Sequence, residues 1–159
     1  MAHAHLDLLS FSNPVFSSYA YWGAILVIKC FLMSPWTSYF RYKNKAPISP
    51  EDVSIHKFVG ARGEIKVNHS HPEVERVRRG HLNDLENILP YLFVGLFYVL
   101  TNPSVSLAKT LFKVAALARI VHTIVYTVIV IPQPARGTAW AIHYAIALYM
   151  AISVVLYSK

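Results

Sequence analysis

Residues 74–100 read VERVRRGHLNDLENILPYLFVGLFYVL, a strongly polar run joined without interruption to an apolar one. The clean apolar part, Ile88 to Leu100, is thirteen residues long. As a helix it covers about 20 Å at a rise of about 1.5 Å per residue. The hydrocarbon core of a bilayer needs about 30 Å. The missing ~10 Å has to come from the preceding turns, roughly Gly80 to Asn87, which carry His81, Asn83, Asp84 and Glu86, with Arg78 and Arg79 just outside. Each ionisable group facing lipid costs roughly 2.5–3.5 kcal/mol on an insertion scale. A helix with so many of them inserts only if they face other helices or a wet cavity near the membrane surface. Pro72 suits the start of this helix, and Glu73 and Glu75 suit the positive end of its dipole.

The rest of the chain supplies the other helices. Of 159 residues 55% are apolar and 14% charged, against about 25% charged in an ordinary soluble domain. Mean hydropathy is +0.39. This excludes intrinsic disorder and argues against a soluble globular domain. Sixteen of the 23 charges fall between Arg41 and Glu86. The pattern predicts an all-α polytopic membrane protein, one domain over residues 1–159, with four spans at about 16–40, 73–100, 105–131 and 139–157. The stretch 41–72, broken by Pro47, Pro50, Gly60 and Gly63, reads as a partly ordered polar loop. Arg41, Lys43 and Lys45 put this loop on the cytosolic side, and Arg136 agrees, whereas Lys109 and Lys113 run against it. The first span then acts as an uncleaved signal anchor, because no cleavable signal pattern precedes it. The sequon Asn68-His69-Ser70 is expected to be unused.

The net charge of +7 is explained by a basic cytosolic loop, and no nucleic-acid motif is present, so no nucleic-acid partner is expected. The single cysteine, Cys30, lies in an apolar run and reads as a small lipid- or helix-facing residue. Lys29 either snorkels, pairs with an acid in the bundle or contacts a ligand. No metal site is expected: His3-Ala4-His5 and His69-Ser70-His71 are short, and elsewhere histidines and acids are mixed with arginines.

Two polar stripes stand out. Arg79, Asn83 and Glu86 share one helix face, and Arg119, His122 and Tyr126 share another. Glu75 and Arg79 are spaced as an ion pair. One reading is that the charges only neutralise one another, Glu86 with Arg119 or Asp84 with an arginine. Yet five arginines (Arg41, Arg78, Arg79, Arg119, Arg136) face two acids, Asp84 and Glu86. The guanidinium fork suits carboxylates and phosphates. A cavity for a small anion or thiolate accounts for the excess.

Residues 74–87 closely resemble the second-helix signature of the MAPEG superfamily, and within it the chain is most similar to the microsomal glutathione transferases. Further matches are Arg41 with Pro50-Glu51-Asp52, residues 118–126, and Pro132-Gln133-Pro134-Ala135-Arg136. The resemblance implies a four-helix protomer in a homotrimer, with glutathione as co-substrate between neighbouring protomers near the cytosolic face. It implies glutathione contacts at Arg41, Arg78, Arg79, His81, Asn83, Glu86, Tyr126 and Arg136, with Arg136 and Tyr126 catalytic. Arg136 would lie near the thiol, and Tyr126 would donate its hydroxyl or else pack as an interface aromatic. Asp84 is read as mainly structural, His122 as a hydrogen-bonded core group, and His81 either way. The implied reactions are conjugation of the thiolate to hydrophobic electrophiles and reduction of lipid hydroperoxides, both arriving from the phospholipid bilayer. The implied membrane is that of the endoplasmic reticulum, with the outer mitochondrial membrane as a second place. Two alternatives are a glutathione-dependent prostaglandin E synthase-type isomerase and a non-catalytic lipid-binding member. In the synthase branch an arginine follows His81 and a serine follows the last arginine; here the residues are Leu82 and Gly137. The transferase's stress-sensing cysteine position holds Val53, which argues against activation by thiol modification.

Overall fold

The computed structural model describes residues 7–60 and 62–159. The pair His3 and His5 lies outside the described residues. Five α-helices follow one another: α1 (Pro14–Lys43), α2 (Pro50–Phe58), α3 (Pro72–Leu100), α4 (Val105–Thr123) and α5 (Ala135–Tyr157). A π-helical turn, Ile124–Val128, continues α4. No strand occurs among the described residues.

Two helix starts are capped by a side chain. Asn13 caps α1 by accepting from the Val15 N–H, and Pro14 occupies the first turn, where a missing N–H costs nothing. Ser49 caps α2 in the same way, and Glu51 and Asp52 face the positive end of its dipole. The stretch read as a loop thus contains a two-turn helix. It stops where Gly60 adopts φ +90°, a left-handed conformation that side chains resist.

Three boundaries differ from the sequence expectations. Helix α1 continues to Lys43, so Arg41 stands on its last turn and not at the head of a loop. Helix α5 begins at Ala135 and places Arg136 in its first turn, where the sequence reading had a connecting turn up to Ala139. The third apolar run stops being α-helical at Thr123; the π turn ends at Val128 and the chain then extends to Ile131.

Helices α1, α4 with its π turn, and α5 are each long and apolar enough to cross a membrane. Helix α3 is equally long, 29 residues, but its N-terminal half is charged. Helix α1 packs on α3 and α4, and α5 packs on α3 and α4. Leu26, Ile88, Tyr91, Phe112, Ala115, Ala116 and Met150 form the main core, and half-buried Cys30 packs against it. A smaller core of Met33, Phe40, Ala46, Val74 and Val77 joins the end of α1 to the start of α3. Apolar side chains also cover the outside: Phe31, Phe93 and Leu156 are more than 60% exposed. In water such a surface would aggregate; in lipid it is the solvent-facing side. The molecule is a multi-pass membrane protein.

One polar cluster sits in this interior. Asp84 of α3 is fully buried and ion-paired with both Lys29 of α1 and Arg119 of α4. Thr123 of α4 donates at 3.2 Å to Oδ2, the oxygen that Lys29 also holds, while Arg119 takes Oδ1. Lys29 therefore pairs with an acid, one of the three readings open from the sequence. Near the cluster, α3 comes so close to the π turn that a Cβ on Gly80 would stand 2.8 Å from the Thr127 methyl. Removing the Asp84 carboxylate leaves two cations buried without a counter-charge, which costs about 3–5 kcal/mol. Asp84→Ala is therefore expected to lower the thermal unfolding midpoint of the detergent-solubilised protein sharply, and Asp84→Glu to restore part of it.

Candidate functional site

The charged half of α3 presents side chains in several directions, and two clefts result. The first, ≈ 420 Å³, lies among α3, the end of α4 and the start of α5. Arg79, Asn83 and Glu86 line it from α3, His122 and Tyr126 from α4 and its π turn, and Arg136, Gly137 and Trp140 from α5, with Gln133 and Leu82 at the edge. The second, ≈ 400 Å³, lies between α1 and α3 and is lined by Thr37, Arg41, Glu75, Arg78, Arg79, His81, Leu82 and Leu85. All eight residues expected to hold the ligand line one cleft or the other. They do not converge on a single spot: Arg41, Arg78 and His81 belong to the second cleft, Asn83, Glu86, Tyr126 and Arg136 to the first, and Arg79 to both.

The arginines fall into two chemical classes. Arg119, one of the five counted as excess, is fully buried and spent on Asp84 and Asn83, so it holds the helices together and does not reach a ligand. Glu86 takes no part in that pair; the expected Glu86–Arg119 contact is replaced by Asp84–Arg119. Glu75 pairs with Arg78 at 2.7 Å, not with Arg79, because the i,i+3 partner is the nearer one here. That leaves Arg41, Arg79 and Arg136 without a carboxylate partner among the described residues. Arg41 donates one N–H to the Ala46 carbonyl at 3.2 Å. Glu86 is exposed and likewise has no ion-pair partner among the described residues.

Two devices aim the polar groups. The Asn83 amide oxygen accepts both terminal nitrogens of Arg119, each at 3.1 Å, which turns its NH2 away from the cluster as a donor for the first cleft. The Arg136 guanidinium lies 4.1 Å from the centroid of the Tyr126 ring, a cation–π contact that fixes its height in the cleft. The Tyr126 ring also meets His122 edge-on at 5.6 Å. His122 is buried, but its Nδ1 has no hydrogen-bond partner among the described residues, so the hydrogen-bonded core role read from the sequence is not what is found. Gln133 caps the first turn of α5 by accepting from the Gly137 N–H at 2.9 Å, and a Cβ on Gly137 would stand 3.0 Å from that oxygen.

Sequence reasoning missed Gln133, Trp140 and the double placement of Arg79. Trp140 lies one helical turn beyond Arg136, so helical periodicity alone could have placed it on the same face once α5 was started at Ala135. It donates to the Asn87 amide oxygen at 3.1 Å, tying α5 to α3 at the cleft mouth. Among the described residues no group of histidines, cysteines and acids has the proximity to hold a metal ion. What the two clefts offer is cationic and donor-rich: guanidinium groups and an amide for carboxylates, with Glu86 as a counterpart for an ammonium.

The chain is similar to known proteins over most of its length. Residues 19–156 match the family model described as the MAPEG family. The chain is 42% identical over 139 residues to microsomal glutathione S-transferase 1 of Sus scrofa, covering 87% of this chain and 88% of the relative. It is 41% identical over 140 residues to the protein of that name from Homo sapiens, with the same shares covered. It is 33% identical over 155 residues to prostaglandin E synthase of Bos taurus, covering 98% and 95%.

The difference between paired and unpaired guanidinium groups is measurable. A charge-assisted hydrogen bond contributes about 1.5–3 kcal/mol, roughly one to two decades in affinity. Arg79→Gln is expected to weaken glutathione binding by at least tenfold in titration calorimetry, and Arg78→Gln by clearly less, because Glu75 already offsets the Arg78 charge.

Proposed function

The chain belongs to the MAPEG family, and from that premise we propose that it is a membrane-bound glutathione S-transferase, joining the glutathione thiolate to hydrophobic electrophiles and reducing lipid hydroperoxides. The observation that carries the reading is the unpaired Arg136 guanidinium, held over Tyr126 in a cleft otherwise stocked for a zwitterionic, dicarboxylate ligand.

Glutathione has two carboxylates, one ammonium and a thiol. Arg79 and the Asn83 NH2 suit a carboxylate, and Glu86 suits the ammonium. A thiol of this kind has an intrinsic pKa of about 8.5 and is mostly protonated at neutral pH, while the thiolate is the nucleophile. Lowering that pKa by two units takes about 2.7 kcal/mol of preferential interaction with the anion. A single guanidinium in a partly dry cleft has the strength to supply this. Arg136 is assigned that role. Tyr126 positions Arg136 through its ring and offers its hydroxyl to the sulfur. The thiolate attacks the electrophilic carbon and expels its leaving group or adds across its double bond; with a hydroperoxide the sulfur takes the distal OH as a sulfenic acid, the O–O bond breaks, the alkoxide takes a proton to leave as the alcohol, and a second glutathione thiol converts the sulfenic acid to the disulfide and water. Such substrates reach the site laterally, from the hydrocarbon against which the outer helix faces stand.

The division of the eight residues between two clefts on α3 fits a site completed by a neighbour. In a homotrimer of four-span protomers, the Arg41–Arg78–His81 cleft of one copy would close against the Arg136 cleft of the next. The membranes of the endoplasmic reticulum and the mitochondrial outer membrane are the proposed locations, by family resemblance. The isomerase reading draws on the 33% identity with a prostaglandin E synthase. Against it, the serine of that branch is Gly137 here, at a position where Gln133 leaves little room for a side chain. The non-catalytic, lipid-binding reading is opposed by the unpaired arginines, for which a lipid alone has no use.

Mixing the purified protein with glutathione is expected to produce the ultraviolet thiolate band, and Arg136→Leu to abolish it while glutathione still binds. Persistence of the band in Arg136→Leu overturns the assignment. The shared site has its own test by coexpression of Arg41→Ala and Arg136→Leu chains. Mixed trimers then contain one intact pair of clefts and regain part of the transferase activity, whereas sites confined to one chain give none.

A further inference from the structure

Helices α1 and α4 enclose a third cavity, ≈ 540 Å³, which shares no lining residue with either cleft described above. Its walls are apolar, with Leu32 and Met33 from α1 and Ile120, Ile124 and Val128 from α4 and its π turn. Leu32 and Val128 are more than half exposed, so the groove opens on the outer, lipid-facing surface. At its inner wall stands a charged group, Lys29.

The depth of Lys29 selects the occupant. Lys29 precedes Arg41 by twelve residues on one helix, a distance of about 18 Å along the axis. Half the hydrocarbon thickness is about 15 Å. With Arg41 at the polar surface, Lys29 stands inside the hydrocarbon, and its ammonium, at the level of Asp84, lies below the phospholipid headgroups. Only an acyl chain reaches it. An ammonium has three N–H donors, and among the described residues this one is ion-paired with Asp84, which it shares with Arg119. Two cations thus share one carboxylate, and the local excess is positive. The polar groups deeper on this wall are already engaged: Trp36 donates to Thr127 at 3.3 Å, Thr127 to the Thr123 carbonyl at 3.0 Å, and Thr123 to Asp84; Tyr39, two residues from Arg41, stands at the polar surface, where water serves its hydroxyl. Lys29 is the group with donors to spare, and in hydrocarbon an unspent donor has no water to turn to. An unsubstituted chain offers it nothing. A chain with an oxygen part-way along offers an acceptor at the right depth.

We propose that the α1–α4 groove is a docking site for acyl chains carrying a mid-chain hydroxyl or hydroperoxyl group, with Lys29 as the hydrogen-bond donor. The inference does not rest on glutathione chemistry, and its test involves no glutathione. Trp36 lines the groove and serves as the reporter, with Trp22→Phe and Trp140→Phe removing the other two indoles. The protein is placed in nanodiscs containing phosphatidylcholine brominated at mid-chain, which quenches Trp36. Phosphatidylcholine with a mid-chain hydroxyl is then compared with its unsubstituted counterpart as a competitor. The expected result is relief of quenching at a several-fold lower mole fraction of the hydroxylated lipid. Lys29→Met is expected to erase this preference, and Ile124→Phe, which narrows the groove without touching the ion pairs, to weaken both lipids. Equal competition in the protein that retains Lys29 overturns the proposal, and this comparison holds even if the Lys29 variant does not fold. A preference that survives Lys29→Met, or competition by both lipids left unchanged by Ile124→Phe, also overturns it.

Discussion

A carboxylate placed where no water reaches must be answered by cations, and Asp84 is answered from two other helices at once. Lys29 of α1 and Arg119 of α4 both close on it, so three helices share one electrostatic reference point. Apolar packing alone is tolerant of sliding: Leu, Ile and Val side chains fit several registers against one another. The Asp84 cluster is not tolerant, since moving any of the three helices by a turn strands a charge in the interior. Asn83, next in the chain, is gripped by Arg119, and with that the whole polar face of α3 is indexed. Arg79 lies one turn before Asn83 and Glu86 about one turn after it, so both are delivered to the first cleft by the same anchor.

The arginines illustrate how identical side chains acquire different work. Arg119 is neutralised and buried, Arg78 is neutralised at the surface by Glu75, and Arg41, Arg79 and Arg136 keep their charge in clefts. Composition shows the total but not this division. A ligand responds to the unneutralised remainder, which concentrates where α1 ends and α3 and α5 begin. The polar end of the bundle is therefore both the best hydrated part of the fold and its most electropositive part, while the opposite half of α3 is apolar from Ile88 onward.

Much of this was legible in the sequence. The thirteen-residue apolar run after a charged segment demanded that Asp84 and its neighbours face inward, and Asp84 is fully buried. The Pro72 start of α3 is legible because a first turn leaves unbonded the one N–H that proline lacks. Helix α2 was missed although Ser49-Pro50-Glu51-Asp52 is a helix-start pattern, because proline and glycine on either side made the segment look like a loop. The choice of Arg78 over Arg79 as the partner of Glu75 was illegible, since both spacings allow a pair and side-chain packing decides. The separation of the ligand residues into two clefts was illegible for a different reason. A sequence motif records which residues lie together on α3, and not on which sides of it the other helices pack.

The π turn at Ile124–Val128 closes the account. Its wider hydrogen bonding, with Ile129 N–H reaching back to the Ile124 carbonyl at 2.8 Å, takes in one residue more than an α-helical turn would. The turn is the last of α4, and the chain extends beyond it. Within it Thr127 sits against Gly80 while Tyr126 lies beneath Arg136. Deleting a single residue here would remove no atom that touches a ligand, yet it would relax the turn to an ordinary helix and swing the aromatic ring out from under the guanidinium. The phase of one helical turn, as much as any side chain, holds the reactive end of the cleft in order.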